Sequence, residues 1–259
     1  MRQDDRTPFD LALRRVREAA YGPGGFAGQE SFMTAAEIRA LAARAGAGPG
    51  VEVLDVCCGV GGPGRLLVRE LGCSYLGVDF SASAIAIARE EVNGLPCRFA
   101  TAHVPPLPPG RFDVVLLLEA MLAFEDKDPL LHAIAAALAP GGRFAFTFEE
   151  GRPLTAAERA AMPDPDTVWL TPLDELTDSL ERAGLAVTQI EDHSGAHRDT
   201  ASALADAYAA EAAAITAQLG RRALDDLLAA HRLWVEWLDS GRVRKLALVA
   251  SACACASTQ

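Results

Sequence analysis

Val51-Glu-Val-Leu-Asp-Val-Cys-Cys-Gly-Val-Gly-Gly-Pro-Gly64 decides how this chain folds. Residues 51–56 alternate into an apolar run that reads as a strand, and the strand enters a glycine-rich turn with a helix expected over 64–71. Glycine accepts a positive φ without a Cβ clash and lets a ligand lie close to the main chain. The amides of a helix starting behind such a turn face that ligand. The spacing Gly59-x-Gly61-x-x-Gly64 matches the dinucleotide fingerprint. Asp79 stands 20 residues after Gly59, at the end of a second strand expected over 75–78. An acid there accepts two ribose hydroxyls. The stretch therefore points to an adenosine-type cofactor on an α/β sheet.

The 259 residues suffice for one large core, or for a core with a small appended subdomain. Half of them are hydrophobic, which sets a globular fold. The net charge of −11 argues against a nucleic-acid substrate and against an anionic membrane surface, both of which need clustered Lys and Arg. The opening Met1-Arg-Gln-Asp-Asp-Arg6 is polar, and no run approaches the roughly 18 apolar residues of a membrane span. A cytoplasmic location is the expectation. The six cysteines, at 57, 58, 73, 97, 253 and 255, follow no zinc spacing. Reduced thiols and no metal site are expected, because the Cys253/Cys255 pair supplies only two ligands.

On the N-terminal side, Phe9, Leu13, Val16 and Ala20 share one helical face over 9–20, and Tyr21-Gly-Pro-Gly-Gly-Phe26 breaks that helix. Thr34-Ala-Ala-Glu37 is a capping box that starts a second helix running to about residue 45. On the C-terminal side, strands and helices alternate, as in a mostly parallel sheet covered on both faces. Ser81 caps a helix to about 93, and strands follow over 97–101 and 112–118. A helix between 126 and 139 is closed by Pro140-Gly141-Gly142, and a fifth strand spans 143–148. Residues 149–170 form a Pro- and Gly-rich loop with one short capped helix at Thr155-Ala-Ala-Glu158. Thr171 caps the next helix with Pro172 in its first turn. The sixth strand is 185–190, helices run over 197–219 and 221–239 around Gly220, and the last strand is 243–250.

Asp55 sits four residues before Gly59, where a nicotinamide-binding strand is usually apolar. Asp55-Val-Cys-Cys-Gly-Val-Gly61 resembles the signature of class I S-adenosylmethionine (SAM) methyltransferases, with Cys57 in place of the usual first glycine. Asp113 in Arg111-Phe-Asp-Val-Val115 and Pro140-Gly-Gly-Arg143 are further family landmarks. The resemblance covers about 51–150 strongly and 171–250 through element order. It implies a Rossmann-like, seven-stranded, mostly parallel sheet with helices on both faces, an antiparallel last strand, and a helical cap inserted between strands six and seven. The implied division is an N-terminal cover (1–50), a core (51–196 and 241–250), a cap (197–240) and a flexible tail (251–259).

The resemblance also implies roles. SAM is the cofactor and S-adenosylhomocysteine the product, with the methyl group moving by in-line displacement to N or O of a small organic acceptor. Gly59 and Gly61 let the methionine and ribose approach the turn, Asp55 positions the loop or meets the ammonium, and Asp79 holds the ribose diol. Phe80 lies against adenine, Ala102 offers backbone, and His103 stands near the acid that many relatives use for the adenine amino group. Glu119 ends the fourth strand, facing the cofactor's amino-acid end or the acceptor, and joins His193 as a catalytic candidate. Acceptor contacts are sought in Tyr21, Phe26, Phe32, Met121, Phe124, Glu149, Glu150, Trp169, His197 and Tyr208. His231, Trp234 and Trp237 fall at helical spacing with Leu227 and Leu238 and read as a core face first. Cys57-Cys58 reads as small packing residues rather than a nucleophile.

No Asn/Asp-Pro-Pro-Tyr/Phe follows the fourth strand, which sets aside nucleic-acid and glutamine amino methylation, and the acidic metal set of catechol-type O-methyltransferases is also missing. The nearest likeness is to glycine/sarcosine-type N-methyltransferases and natural-product N- or O-methyltransferases. Two readings compete. An NAD-dependent oxidoreductase would use the same Gly-x-Gly-x-x-Gly, but lacks a Tyr-x-x-x-Lys pair. A non-catalytic SAM-binding protein would bind without transfer. A monomer and a homodimer both fit.

Overall fold

The structure is a computed structural model that describes residues 8–252; of residues 8–12 only the backbone is described. The Cys253/Cys255 tail and the Phe9 side chain therefore lie outside the described residues. The chain opens with helices α1 (Pro8–Tyr21) and α2 (Ala35–Arg44), then alternates β1 (Glu52–Val56), α3 (Gly62–Leu71), β2 (Ser74–Asp79), α4 (Ala82–Glu90), β3 (Cys97–Thr101) and β4 (Phe112–Leu117). It continues with α5 (Asp128–Ala137), β5 (Leu138–Glu150), α6 (Ala156–Ala161), α7 (Leu173–Arg182) and β6 (Leu185–Asp192). Three helices, α8 (Ser194–Ala210), α9 (Ala212–Leu219) and α10 (Arg221–Asp239), separate β6 from β7 (Arg244–Ala252).

Among the described residues seven strands form one sheet in the order β3-β2-β1-β4-β5-β7-β6. β7 slots antiparallel between β5 and β6, and the other pairings are parallel. This is the expected fold class. Strand alternation explains the two layers. Val53, Tyr75, Phe99 and Leu116 point to one face, beneath Leu67 of α3, Ile85 of α4, and Ile38 and Leu41 of α2. Leu54, Val56, Val115 and Leu117 point to the other, under Leu131 and Ile134 of α5 and Leu176 and Leu180 of α7. A third apolar cluster joins α1, α8, α9 and α10 through Leu13, Leu204, Tyr208, Ile215 and Trp234.

Three caps fall where the sequence places them. Thr34 and Thr155 both complete capping boxes, with Glu37 and Glu158, and Ser81 accepts from the Ala84 amide. Three expectations need correction. Pro140-Gly141-Gly142 does not stop a helix before a fresh strand. It lies inside β5 as an irregularity: Phe112 pairs with Leu138 and Val114 with Arg143, so the intervening residues bulge out. Pro172 itself, not Thr171, is the cap position of α7, with extended backbone and no side-chain cap, while Thr171 bridges to Glu150. The helix expected over 197–219 begins at Ser194 and breaks at Glu211, which lets α9 pack against both α1 and α10. That alanine-rich stretch carries no break signal; the turn serves the tertiary contact.

Candidate active site

Strand order reverses between β1 and β4, and ligands of open α/β sheets settle outside the strand carboxyl ends at that point. Both strand ends carry non-glycine residues with left-handed backbone, Cys57 at φ 63° and Glu119 at φ 54°. Such residues cost on the order of 1–3 kcal/mol and persist where the surroundings impose them. Cys57 thus occupies a position whose backbone suits glycine. Burial, with Asp79 and Asp55 nearby, pushes its thiol up to about 12, so it is no thiolate near neutral pH.

The glycines divide their work. A Cβ on Gly59 would meet no atom within 4 Å, so this side of the turn is open to a ligand. A Cβ on Gly61 would come within 2.4 Å of Phe99, and one on Gly64 within 2.2 Å of Tyr75; these two let the helix settle on the sheet. The Ala27 carbonyl would lie 2.2 Å from a Cβ on Gly62, so the segment after α1 closes over the first turn of α3. Asp55 is buried under the turn, where it accepts from the Tyr75 hydroxyl. Burial raises its carboxyl to about 7, more than the Tyr75 hydrogen bond lowers it.

At the end of β2, the Asp79 carboxylate accepts from the Gly59 amide at 2.9 Å and from the Ser81 amide at 2.8 Å. Each oxygen keeps a lone pair for a ribose hydroxyl. Phe80 is 67% exposed, an unusual fate for a large apolar ring, and the His103 ring stands 6.1 Å from it. The Ala102 amide donates to the Asp79 carbonyl at 2.9 Å, which holds the loop after β3 against this shelf. An open glycine turn, a carboxylate with spare acceptors and an exposed aromatic shelf on adjacent strand ends fit an adenosine cofactor such as SAM.

Next to this edge lies a cavity of about 220 Å3. Phe32, Tyr208, His231 and Trp234 form its aromatic wall, and Arg17, Glu30, Glu119 and Lys245 bring charge to it. The His231 ring meets Tyr208 at 5.0 Å and Phe32 at 5.7 Å, both edge to face. Arg17 donates to the Tyr208 hydroxyl at 3.3 Å. The His231 Nδ1 lies 2.8 Å from the Leu227 carbonyl and must donate to it, so Nε2 is left as the acceptor, and burial lowers the ring's basicity.

Lys245, near the start of β7, is buried between two carboxylates. Its Nζ donates to Glu119 Oε2 and, at 2.7 Å, to Glu149 Oε1. The same ammonium lies 5.1 Å from the Phe32 ring and 5.2 Å from that of Trp234. Burial would raise Glu119, but Lys245 and His197 outweigh it and hold it low. Burial wins at Glu149, whose carboxyl is raised. Burial also works against the Lys245 charge, but the two glutamates more than restore it.

Of the expected acceptor contacts, Phe32, Tyr208 and Glu119 reach the cavity wall. Glu149 sits behind Lys245, Met121 is fully buried in the core, and its neighbour Leu122 lines the cavity instead. Tyr21 donates to the Ser31 carbonyl and packs on Phe26. Phe124 packs on the core, and Glu150 pairs with Arg244. Trp169 lies under the Arg159 guanidinium, 4.4 Å from its ring centre, and donates to the Asp166 carbonyl. His193 and His197 lie beside Glu37, with His193 Nδ1 2.9 Å from Glu37 Oε1. None of these is in the cavity wall. His231 and Trp234, read as core, are. Lys245 was missed altogether, although one lysine heading the apolar run Leu246-Ala-Leu-Val-Ala250 is the available signal.

Comparison with known proteins agrees with this geometry. Residues 53–142 match the family described as "Methyltransferase domain". The chain is 30% identical over 177 residues to Methyltransferase GfsG of Streptomyces halstedii, covering 61% of each chain. It is 32% identical over 103 residues to Phosphoethanolamine N-methyltransferase 3 of Arabidopsis thaliana, 38% of this chain and 21% of that one. The chain thus matches less than two thirds of the length of these relatives. In fold it is similar to Phosphoethanolamine N-methyltransferase 2 of Haemonchus contortus in complex with S-adenosyl-L-methionine, with a TM-score of 0.79 at 20% identity over 96% of this chain and 59% of that one. Motif, strand order, strand-end geometry and these likenesses agree: the chain carries a class I SAM-dependent methyltransferase domain.

Proposed function

We propose that this chain methylates a nitrogen or oxygen of a small organic acceptor held in the cavity walled by Phe32, Tyr208, His231 and Trp234. The observation that carries the reading is where that cavity lies. Glu119 forms part of its wall and also stands two residues past the end of β4, beside the strand ends that carry the cofactor features. Bound SAM supplies an activated methyl group on a sulfonium. Gly59, Asp79, Phe80 and the Ala102–His103 loop would hold it. The remaining task for the chain is to aim the acceptor's lone pair and exclude water. Aromatic walls suit both, since they shed water and tolerate a positive centre.

His231 replaces His193 as the residue assigned to proton removal. Its Nδ1–H is committed to Leu227, so Nε2 is free to accept the proton of a neutral acceptor hydroxyl or of an ammonium that must be deprotonated first. The likeness to phosphoethanolamine N-methyltransferases supports nitrogen as the accepting atom. Labelled methyl transfer from SAM to a panel of amines, phenols and carboxylates tests the proposal. Label in an amine or phenol is the expected result. No transfer to any of them by protein that binds S-adenosylhomocysteine would favour a non-catalytic SAM-binding role.

A further inference from the structure

Apart from the cavity, a cluster of donor atoms among the described residues is left unexplained by methyl transfer. Glu37 of α2, His193 at the cap of α8 and His197 one turn later converge, with one donor atom from each lying within 4.8 Å of the others. The shared corner is Glu37 Oε1, 2.9 Å from His193 Nδ1 and 3.7 Å from His197 Nε2. Two ligands about 2.0–2.1 Å from a tetrahedral zinc ion stand about 3.3 Å apart, so this spacing brackets that of a bound cation. His197 is 1% exposed, and neither of its ring nitrogens has a hydrogen-bond partner. Buried imidazole nitrogens left unpaired are costly, and native proteins rarely tolerate them without an occupant.

The surroundings complete the pattern. Metal-bound histidines usually present their other ring nitrogen to a carboxylate. Here His197 Nδ1 faces Glu119 Oε1 at 3.8 Å, and His193 Nε2 faces Glu191 Oε2 at 3.2 Å. Glu119 Oε1 is itself buried without a hydrogen-bond partner. Glu37 is held in place by its capping role, since its Oε2 accepts from the Thr34 amide at 2.7 Å and from the Thr34 hydroxyl at 2.9 Å. Its Oε1 meets the His193 and His197 ring nitrogens, the two groups that would join it around an ion. We propose that Glu37, His193 and His197 bind one divalent transition-metal ion of the Zn2+ class, two imidazoles and one carboxylate being a borderline donor set that suits it. Bound there, the ion ties α2 to α8 and, through His197, fixes Glu119 at the edge of the acceptor cavity. The proposal is independent of the methyl-transfer reading.

The test is titration of chelator-stripped full-length protein with Co2+, followed by visible absorption, and with Zn2+, followed by calorimetry. The starting protein is a Cys253→Ala/Cys255→Ala variant, so that tail thiols cannot contribute. One equivalent of Co2+ with a nitrogen/oxygen ligand-field spectrum, displaced by Zn2+, is expected. His193→Ala and Glu37→Gln should abolish it. Glu191→Gln, a change at the protein surface, should weaken Zn2+ binding by about tenfold while the fold is kept. No stoichiometric Co2+ or Zn2+ binding would overturn the proposal, as would binding that survives unchanged in folded Glu37→Gln and His193→Ala proteins.

Discussion

Asp79 is placed by its neighbours rather than by its own freedom. Its two amide contacts hold both oxygens at the edge of the glycine turn, so removing the carboxylate costs the turn its anchor and, in the proposed binding mode, removes the ribose acceptor. Asp79→Ala should weaken S-adenosylhomocysteine binding by about 1–3 kcal/mol, measured by calorimetry, with secondary structure unchanged. His231→Phe keeps an aromatic ring against Tyr208 and removes the acceptor nitrogen. Turnover of a protonated acceptor should fall by roughly 10^2–10^4, with S-adenosylhomocysteine affinity unaffected. Asp55 gives a pH signature. Its carboxyl is raised to about 7 in the folded state, so folding favours its protonated form. That contribution is fully present below the unfolded pKa and is lost as pH rises through about 7, at ~1.4 kcal/mol per pH unit across the window. Asp55→Asn should abolish this fall: apoprotein denaturation curves of wild type and variant should diverge between about pH 4 and 7 and run parallel above.

At the scale of elements, β7 brings the unusual chemistry. Its antiparallel entry between β5 and β6 carries Lys245 beneath Phe32 and Trp234, against Glu119 just after β4 and Glu149 from β5. Lys245→Met would leave two carboxyls buried without a cation, and should cost about 3–5 kcal/mol in denaturant unfolding. The triple change Lys245→Met, Glu119→Gln and Glu149→Gln should recover much of that stability, because no net charge then stays buried. The elements themselves were legible. The strand 97–101 and the caps at Thr34, Ser81 and Thr155 stand where residue types demand them. Illegible were the features set by tertiary packing. The break at Glu211 has no local signal, and the Pro140-Gly-Gly bulge depends on pairing with β4.

For the whole molecule, the cofactor edge could be read from sequence because one strand–turn–helix stretch and one acid 20 residues on specify it. The acceptor side could not. His193 and Glu37 meet across 156 residues, and Lys245 meets Glu119 across 126. Nothing local marks Glu37 as more than a capping residue, or separates His231 and Trp234 from an ordinary apolar helix face. The aromatics singled out beforehand were therefore a mixture of cavity wall and packing. The central claim, a SAM-holding site built on the carboxyl ends of β1 and β2, is tested most directly by calorimetric titration of the purified protein with S-adenosylhomocysteine, with NAD in parallel. Micromolar binding of S-adenosylhomocysteine that Asp79→Ala weakens, with no heat from NAD, is expected. Binding of NAD alone would contradict it.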